Sequence, residues 1–189
     1  YLCKYVYEKE RCVIVSSDKD LYQLLSDKVI QWSPGQKAFV NKEHVMRKFG
    51  VKCHNFCVTR CFTGDPSDGL PGIKGAGFKT MSKRFPSLAS DEEITVEDII
   101  ETSLKMASQS KVKVYSNIIE SAERARINWK VMNLGLSVLS ASQIKKIIGG
   151  VNTFEPTRNK IALMRVLHRE GVKNFDVDSF FMSMCTIKC

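Results

Sequence analysis

The sequence predicts an α/β region built on a parallel sheet, followed by a Gly-rich helical hairpin and an α-helical C-terminal region. Three observations carry this. A β-branched apolar run, Cys12-Val13-Ile14-Val15-Ser16-Ser17, has the length and continuity of a buried parallel strand. The segment GDPSDGLPGIKGAGFKTMSKRF, residues 64–85, is the densest cluster of turn formers in the chain. From residue 91 onward the apolar residues recur at helical spacing. No internal repeat or low-complexity tract interrupts this order.

Taken in order, YLCKYVYEKE reads as the middle of an amphipathic helix, with Leu2, Tyr5 and Val6 on one side and Lys4, Glu8 and Lys9 on the other. A chain opening at Tyr1 in mid-helix is expected to be a fragment or a processed product. After the strand at 12–17, Leu21, Leu24 and Leu25 give a helix. Two short strands, at 28–33 and 37–40, flank a Pro34-Gly35 turn. Residues 41–63 are helical, broken at Gly50-Val51. Behind the Gly-rich segment come an acidic helical stretch at 91–101, one long helix at 113–136, and helices near 140–149, 157–170 and 176–184. Three regions result: 1–63, 64–90 and 91–189.

Of the 189 residues, 43% are hydrophobic and 26% charged, and no long uncharged apolar run is present, which argues against disorder and a membrane-spanning helix. The 29 Lys and Arg against 20 Asp and Glu give a formal charge of +9, pointing to a polyanionic partner, most simply nucleic acid. Seven cysteines, an odd number, fit no secreted disulfide framework and predict a reducing, cytoplasmic interior. Cys53, Cys57 and Cys61 lie four apart on one helical face, unlike the close knuckle spacing of structural zinc ligands, and read as buried core thiols. Cys185 and Cys189 have the same spacing and the same reading.

Asp18 and Asp20 stand where the first strand gives way to a loop, the end of an open α/β sheet where ligands bind. Two carboxylates there repel unless a cation lies between them, and Mg²⁺ is held by a few carboxylates plus waters. Helix capping by Asp18 and dipole complementation by Asp20 explain the same pair. Asp65 and Asp68 form a second pair inside GDPSDG, a composition that also satisfies a plain turn. The stretch that follows, Leu70 to Thr80, has the glycine spacing of a helix–hairpin–helix turn, whose amides offer an anion site. Between 70 and 90 there are four basic residues, Lys74, Lys79, Lys83 and Arg84, and no acidic ones, which suits a phosphate backbone irrespective of base sequence. Four carboxylates beside a gripped phosphodiester are the layout of metal-assisted phosphoryl hydrolysis. His44, His54 and His168 lie outside both motifs, and Trp32 and Trp129 read as packing residues. Arg124, Arg126 and Lys130 form a basic run that either touches duplex or is a solvated helix face.

VSSDKDLYQLLSDKVIQWSP followed by GDPSDGLPGIKGAGFKT resembles the 5′-3′ exonucleases and flap endonucleases, a family that includes the 5′-nuclease domain of bacterial DNA polymerase I and stand-alone phage enzymes. The VIQWSP stretch is most like the ribonuclease H of T-even-type phages, which removes RNA primers. The resemblance implies a PIN-like α/β domain, incomplete here, with a helix–three-turn–helix motif. It implies Asp18, Asp20, Asp65 and Asp68 as catalytic metal ligands for two Mg²⁺ ions, with Mn²⁺ as a substitute. It also implies Gly72, Lys74, Gly75, Gly77, Lys79, Thr80 and Lys83 as the nucleic-acid-binding hairpin, where relatives often hold K⁺. The implied substrate is DNA or an RNA–DNA duplex with a 5′ flap or end, cut by a monomer in the bacterial or phage-infected host cytoplasm, recruited by a single-strand-binding or clamp protein. The family's first strand with its Asp, its helical arch and the acidic cluster before the strand carrying the first Asp pair have no counterpart here. The expected site is therefore the half that binds the second ion, the expected sheet has an open edge or face, and a non-catalytic duplex-binding module is the alternative.

Overall fold

Residues 1–135, 139–155 and 158–185 are described by the computed structural model, and they fall into two units, Tyr1–Leu139 and Ser140–Cys189. In the first unit, strands β1 (Cys12–Val15), β2 (Val29–Ser33) and β3 (Ala38–Val40) form a mixed three-stranded sheet in the order β1-β2-β3. β1 runs parallel to β2, with Cys12 opposite Val29, and β2 runs antiparallel to β3, with Trp32 opposite Phe39. The β2–β3 turn closes as Lys37 N donates to the Pro34 carbonyl at 3.3 Å. The parallel pairing of β1 is as expected, but its burial is not. Val13 is 52% and Val15 68% exposed. A continuous apolar run reveals strand length without revealing how many of its faces are covered, and β1 is an edge strand with one face open.

The expected N-terminal helix is a single π-type turn, Leu2–Val6, and the segment after β1 is a 3-10 turn, Asp20–Leu24. Tyr5 and Val6 are exposed, so the amphipathic pattern there is not matched by a packed face. Helices α1 (Lys42–Phe49) and α2 (Phe56–Thr63) are separated at Gly50, which ends α1 in the left-handed region at φ 70°. Asn41 caps α1, its side chain accepting from His44 N. The hairpin leads into α3 (Phe78–Arg84), then α4 (Val96–Ala107), opened by a capping box between Thr95 and Asp98. The single long helix expected over 113–136 is two, α5 (Lys113–Glu120) and α6 (Ala122–Met132), breaking at Ser121.

The core of this unit sits around α2, whose residues 56–62 are all buried. Tyr22, Phe49, Phe56 and Phe78 form an aromatic cluster with ring centroids 4.7–6.2 Å apart. Val45, Phe62, Met81, Leu88, Ile99 and Ile118 complete it. Cys53, Cys57 and Cys61 are buried free thiols within the same core, and burial pushes Cys53 up to about 11. Trp32 packs on Phe39 at 4.8 Å, whereas Trp129 remains 38% exposed on α6.

The second unit contains α7 (Ala141–Thr153), α8 (Lys160–Arg169) and α9 (Val177–Cys185). Ser140 opens α7 with a capping box to Gln143. Lys160 pairs with Asp178, and Phe175 and Phe180 meet edge to face at 5.3 Å. No residue of α7 or α8 is buried. The core-thiol expectation for Cys189 lies outside the described residues, as does the side chain of Cys185. Among the described residues no helix is long and apolar enough to cross a membrane.

Candidate metal centre and nucleic-acid interface

The loop after β1 carries the first acidic pair. Ser16 N donates to the Trp32 carbonyl at 3.0 Å, prolonging the parallel ladder by one residue. Gln31, fully buried in β2, then holds the turn, its Nε2 donating to the carbonyls of Ser16 at 2.7 Å and Asp18 at 2.9 Å. The Asp18 carboxylate accepts from Asp20 N at 2.8 Å, an Asx-type turn. Asp18 is exposed and stands one residue before the N-cap, Lys19, while the Asp20 side chain, only 17% exposed, pairs with Arg60 of α2.

The second pair lies on a loop closed by reciprocal backbone bonds, Asp65 N to the Leu70 carbonyl at 2.8 Å and Leu70 N to the Asp65 carbonyl at 2.9 Å. This loop is fastened to the hairpin by two glycines in direct contact. A Cβ on Gly64 would fall 2.3 Å from Gly72 N, and one on Gly72 would fall 2.1 Å from the Thr63 carbonyl oxygen. Gly64 also has φ +75°, which L side chains rarely adopt. Asp65 is 8% exposed and Asp68 is exposed.

Folding brings Asp20, Asp65 and Asp68 together: one carboxylate oxygen of each lies within 4.8 Å of the others. Asp18 is outside this trio but lines a cavity of about 270 Å³ together with Lys19, Arg60, Asp65 and Asp68. Three hard oxygen donors on two loops are a donor set suited to Mg²⁺ or Mn²⁺, with waters completing the shell. Electrostatics agree. Burial raises the Asp20 carboxyl above its ordinary range despite the opposing pull of Arg60, and Asp18 and Asp68 raise it further.

That arginine was invisible to motif reading. Arg60 lies in the buried helix α2, itself only 7% exposed. Its Nε donates to Asp20 Oδ1 at 3.1 Å, and its Nη2 donates to Asp65 Oδ2. A buried guanidinium is costly unless paired, and here it is paired to both acidic motifs at once. The only sequence signal was one charge in an otherwise apolar helical stretch, CVTRCF.

In the hairpin, Ile73 and Ala76 are buried anchors, while Lys74, Gly75, Gly77, Lys79 and Lys83 are exposed and Thr80 is half-buried. Gly75 has φ +85°. Gly77 caps α3, its carbonyl accepting from Thr80 N and Met81 N at 2.8 and 2.9 Å. Lys79 and Lys83, one turn apart, share a face. From behind, Asn117 donates to the Lys74 carbonyl at 2.8 Å and Arg124 to the Gly72 carbonyl at 3.3 Å. Asn128, buried on α6, donates to the carbonyls of Cys61 at 2.8 Å and Pro71 at 3.1 Å, tying α2 to the hairpin. Of the basic run on α6, Arg126 is committed to Glu97 through two bonds of 2.8 Å.

No protein-family model matches the chain. It is 31% identical over 116 residues to the thermostable DNA polymerase I of Thermus aquaticus, covering 61% of this chain and 13% of that one. It is 26% identical over 156 residues to the 5′-3′ exonuclease of Buchnera aphidicola, covering 79% of this chain and 53% of that one. It is 38% identical over 81 residues to the 5′-3′ exonuclease of Aquifex aeolicus, covering 43% and 28%. The chain therefore spans about half or less of the length of each of these relatives. Among solved structures, it superposes on the bacteriophage T5 5′-exonuclease with divalent zinc ions bound at a TM-score of 0.57 and 23% identity, covering 70% of this chain and 46% of that one. A T5 flap endonuclease in a pseudo-enzyme-product complex with DNA and metal ions gives 0.58 at 21% identity, covering 70% and 46%. At these identities the structural likeness establishes the fold.

Proposed function

The chain belongs to the 5′-3′ exonuclease and flap endonuclease family, and from that premise we propose that it forms part of a metal-dependent nuclease hydrolysing phosphodiesters at the 5′ flap or end of a duplex, RNA primers included. The observation that carries this is the convergence of Asp20 with Asp65 and Asp68, from two motifs far apart in sequence, beside a basic hairpin. Asp20, Asp65 and Asp68 would hold one divalent ion, with Asp18, in the cavity that Asp65 and Asp68 also line, available to a second. Bound there, such ions supply the activation of an attacking water and the stabilisation of the leaving oxygen. The chain's own residues do the rest. Gln31 and the Asp65–Leu70 backbone pair hold the two acidic loops in place. Lys74, Lys79 and Lys83 project from the hairpin to hold the phosphate backbone, with Gly72, Gly75, Gly77 and Thr80 shaping the turn that presents them.

The test is cleavage of a 5′-labelled flap duplex in Mg²⁺ by the chain and by its Asp20→Asn and Asp68→Asn variants. Cleavage that falls at least a hundredfold in either variant, and that stops on chelation, is the expected result. Cleavage by the chain that both variants leave unchanged would remove these carboxylates from the chemistry. If the chain binds the flap duplex but does not cut it, the non-catalytic binding module replaces the enzyme reading.

A further inference from the structure

Resting on that reading, we propose that Arg60 is the resident counter-ion of the acidic group and competes with the divalent ion for it, so that metal binding loosens the hold of the guanidinium. Asp65 accepts three hydrogen bonds: its Oδ1 accepts from Ser67 N at 3.1 Å and from Ser67 Oγ at 2.5 Å, while its Oδ2 accepts from Arg60 Nη2. Oδ1 is filled by the two Ser67 bonds, so a divalent ion approaches through Oδ2, the oxygen that the guanidinium already holds. The Arg60 Nε bond occupies Asp20 Oδ1 in the same way. Of the three carboxylates that converge, two thus share one positive charge supplied from inside the fold, and the third, Asp68, is exposed.

The guanidinium is well placed to be the group that yields. The two Ser67 bonds belong to the local turn that opens at Asp65, whereas Arg60 reaches the carboxylates from the end of a long side chain on a separate element, α2. A planar guanidinium matches two carboxylates through a rigid fork of donors. A divalent ion at the same oxygens both replaces those bonds and repels the arginine at close range. Arg60 therefore keeps the site folded without metal and lowers its affinity for metal, two effects of one contact that are linked reciprocally. Arg60 acts here through the carboxylates, as a positioning residue.

The experiment is calorimetric titration of the chain with MnCl₂, alongside Arg60→Met, Arg60→Lys and Asp68→Asn, with thermal melts of each protein with and without Mn²⁺. The expected order of Mn²⁺ affinity is Met above Lys above the unaltered chain, with the Met variant tighter by about tenfold or more, a typical size for coupling between linked sites. The melting temperature of the Met variant should be lowest without metal and should rise most on adding it. If Arg60→Met folds only when Mn²⁺ is present, the same conclusion is reached through folding. Equal Mn²⁺ affinity in the unaltered chain and Arg60→Lys, together with a Met variant that binds no tighter or that Mn²⁺ fails to rescue, overturns the competition while leaving the metal site standing, provided Asp68→Asn weakens binding. Absence of Mn²⁺ binding in all four proteins overturns the metal site itself, and the competition with it.

Discussion

The acidic loop and the basic hairpin are neighbours in sequence and are built in opposite ways. In the loop, the side chains are interlocked: Asp65 is 8% exposed and accepts three hydrogen bonds, and its partner Arg60 is buried in α2. In the hairpin, the backbone is what is secured, by Ile73 and Ala76 inside and by Asn117, Arg124 and Asn128 from behind, while the lysines stand in solvent. The difference teaches that charge is integral to folding in one place and dispensable to it in the other. Substitutions should therefore separate stability from binding along a boundary only a few residues wide.

The largest effect is expected at the interlocked end. Asp65→Ala leaves a buried guanidinium short of a partner and should lower stability by about 3–5 kcal/mol in urea denaturation, as breaking a buried pair does. Gly72→Ala attacks the junction between the two regions, since the added methyl meets a backbone oxygen; a loss of about 3 kcal/mol is expected from overpacking. Stability unchanged by Gly72→Ala would mean that loop and hairpin are not clamped together. A calibration lies outside both regions, at the capping box of α4. Thr95→Ala should cost about 1 kcal/mol at neutral pH. Hydrogen bonds from the Thr95 side chain and backbone hold the Asp98 carboxyl below its ordinary range. That stabilisation is present above the unfolded-state value and is lost as pH falls through the folded-state value, so the gap between the variant and the parent should narrow in acid. At the small end, Lys74→Ala, Lys79→Ala and Lys83→Ala should each change stability by less than about 0.5 kcal/mol. Each should also reduce the salt slope of duplex binding by about one. A lysine variant as destabilised as Asp65→Ala would erase the contrast.

The same contrast explains what was legible in the sequence. Asp18, Asp20, Asp65 and Asp68 were readable as candidates because local spacing sets each pair at a loop, and the glycines and lysines of 70–85 because turn residues are adjacent in sequence. Arg60 was not, because its meaning lies in partners on a different strand end and a different loop, and one charge in a helix carries no sign of them. Gln31 and Asn128 escaped for the same reason: each serves carbonyl groups distant in sequence. The open face of β1 is not written in its residues, because apolarity records what a strand can bury, whereas cover is supplied by other elements. The break at Ser121 went unseen because α5 and α6 keep an amphipathic pattern across it with no Gly or Pro to mark the change.

The contact of Gly64 with Gly72 has a consequence of its own. With no side chain between the two backbones, there is no soft layer in which the spacing from Lys79 to the carboxylates can vary. If phosphates are held and cut as proposed, that spacing acts as a ruler, and the fragments released from one substrate should share a single length. A partly tolerated substitution at either glycine would then show itself as a spread of fragment lengths before it shows itself as a slower reaction.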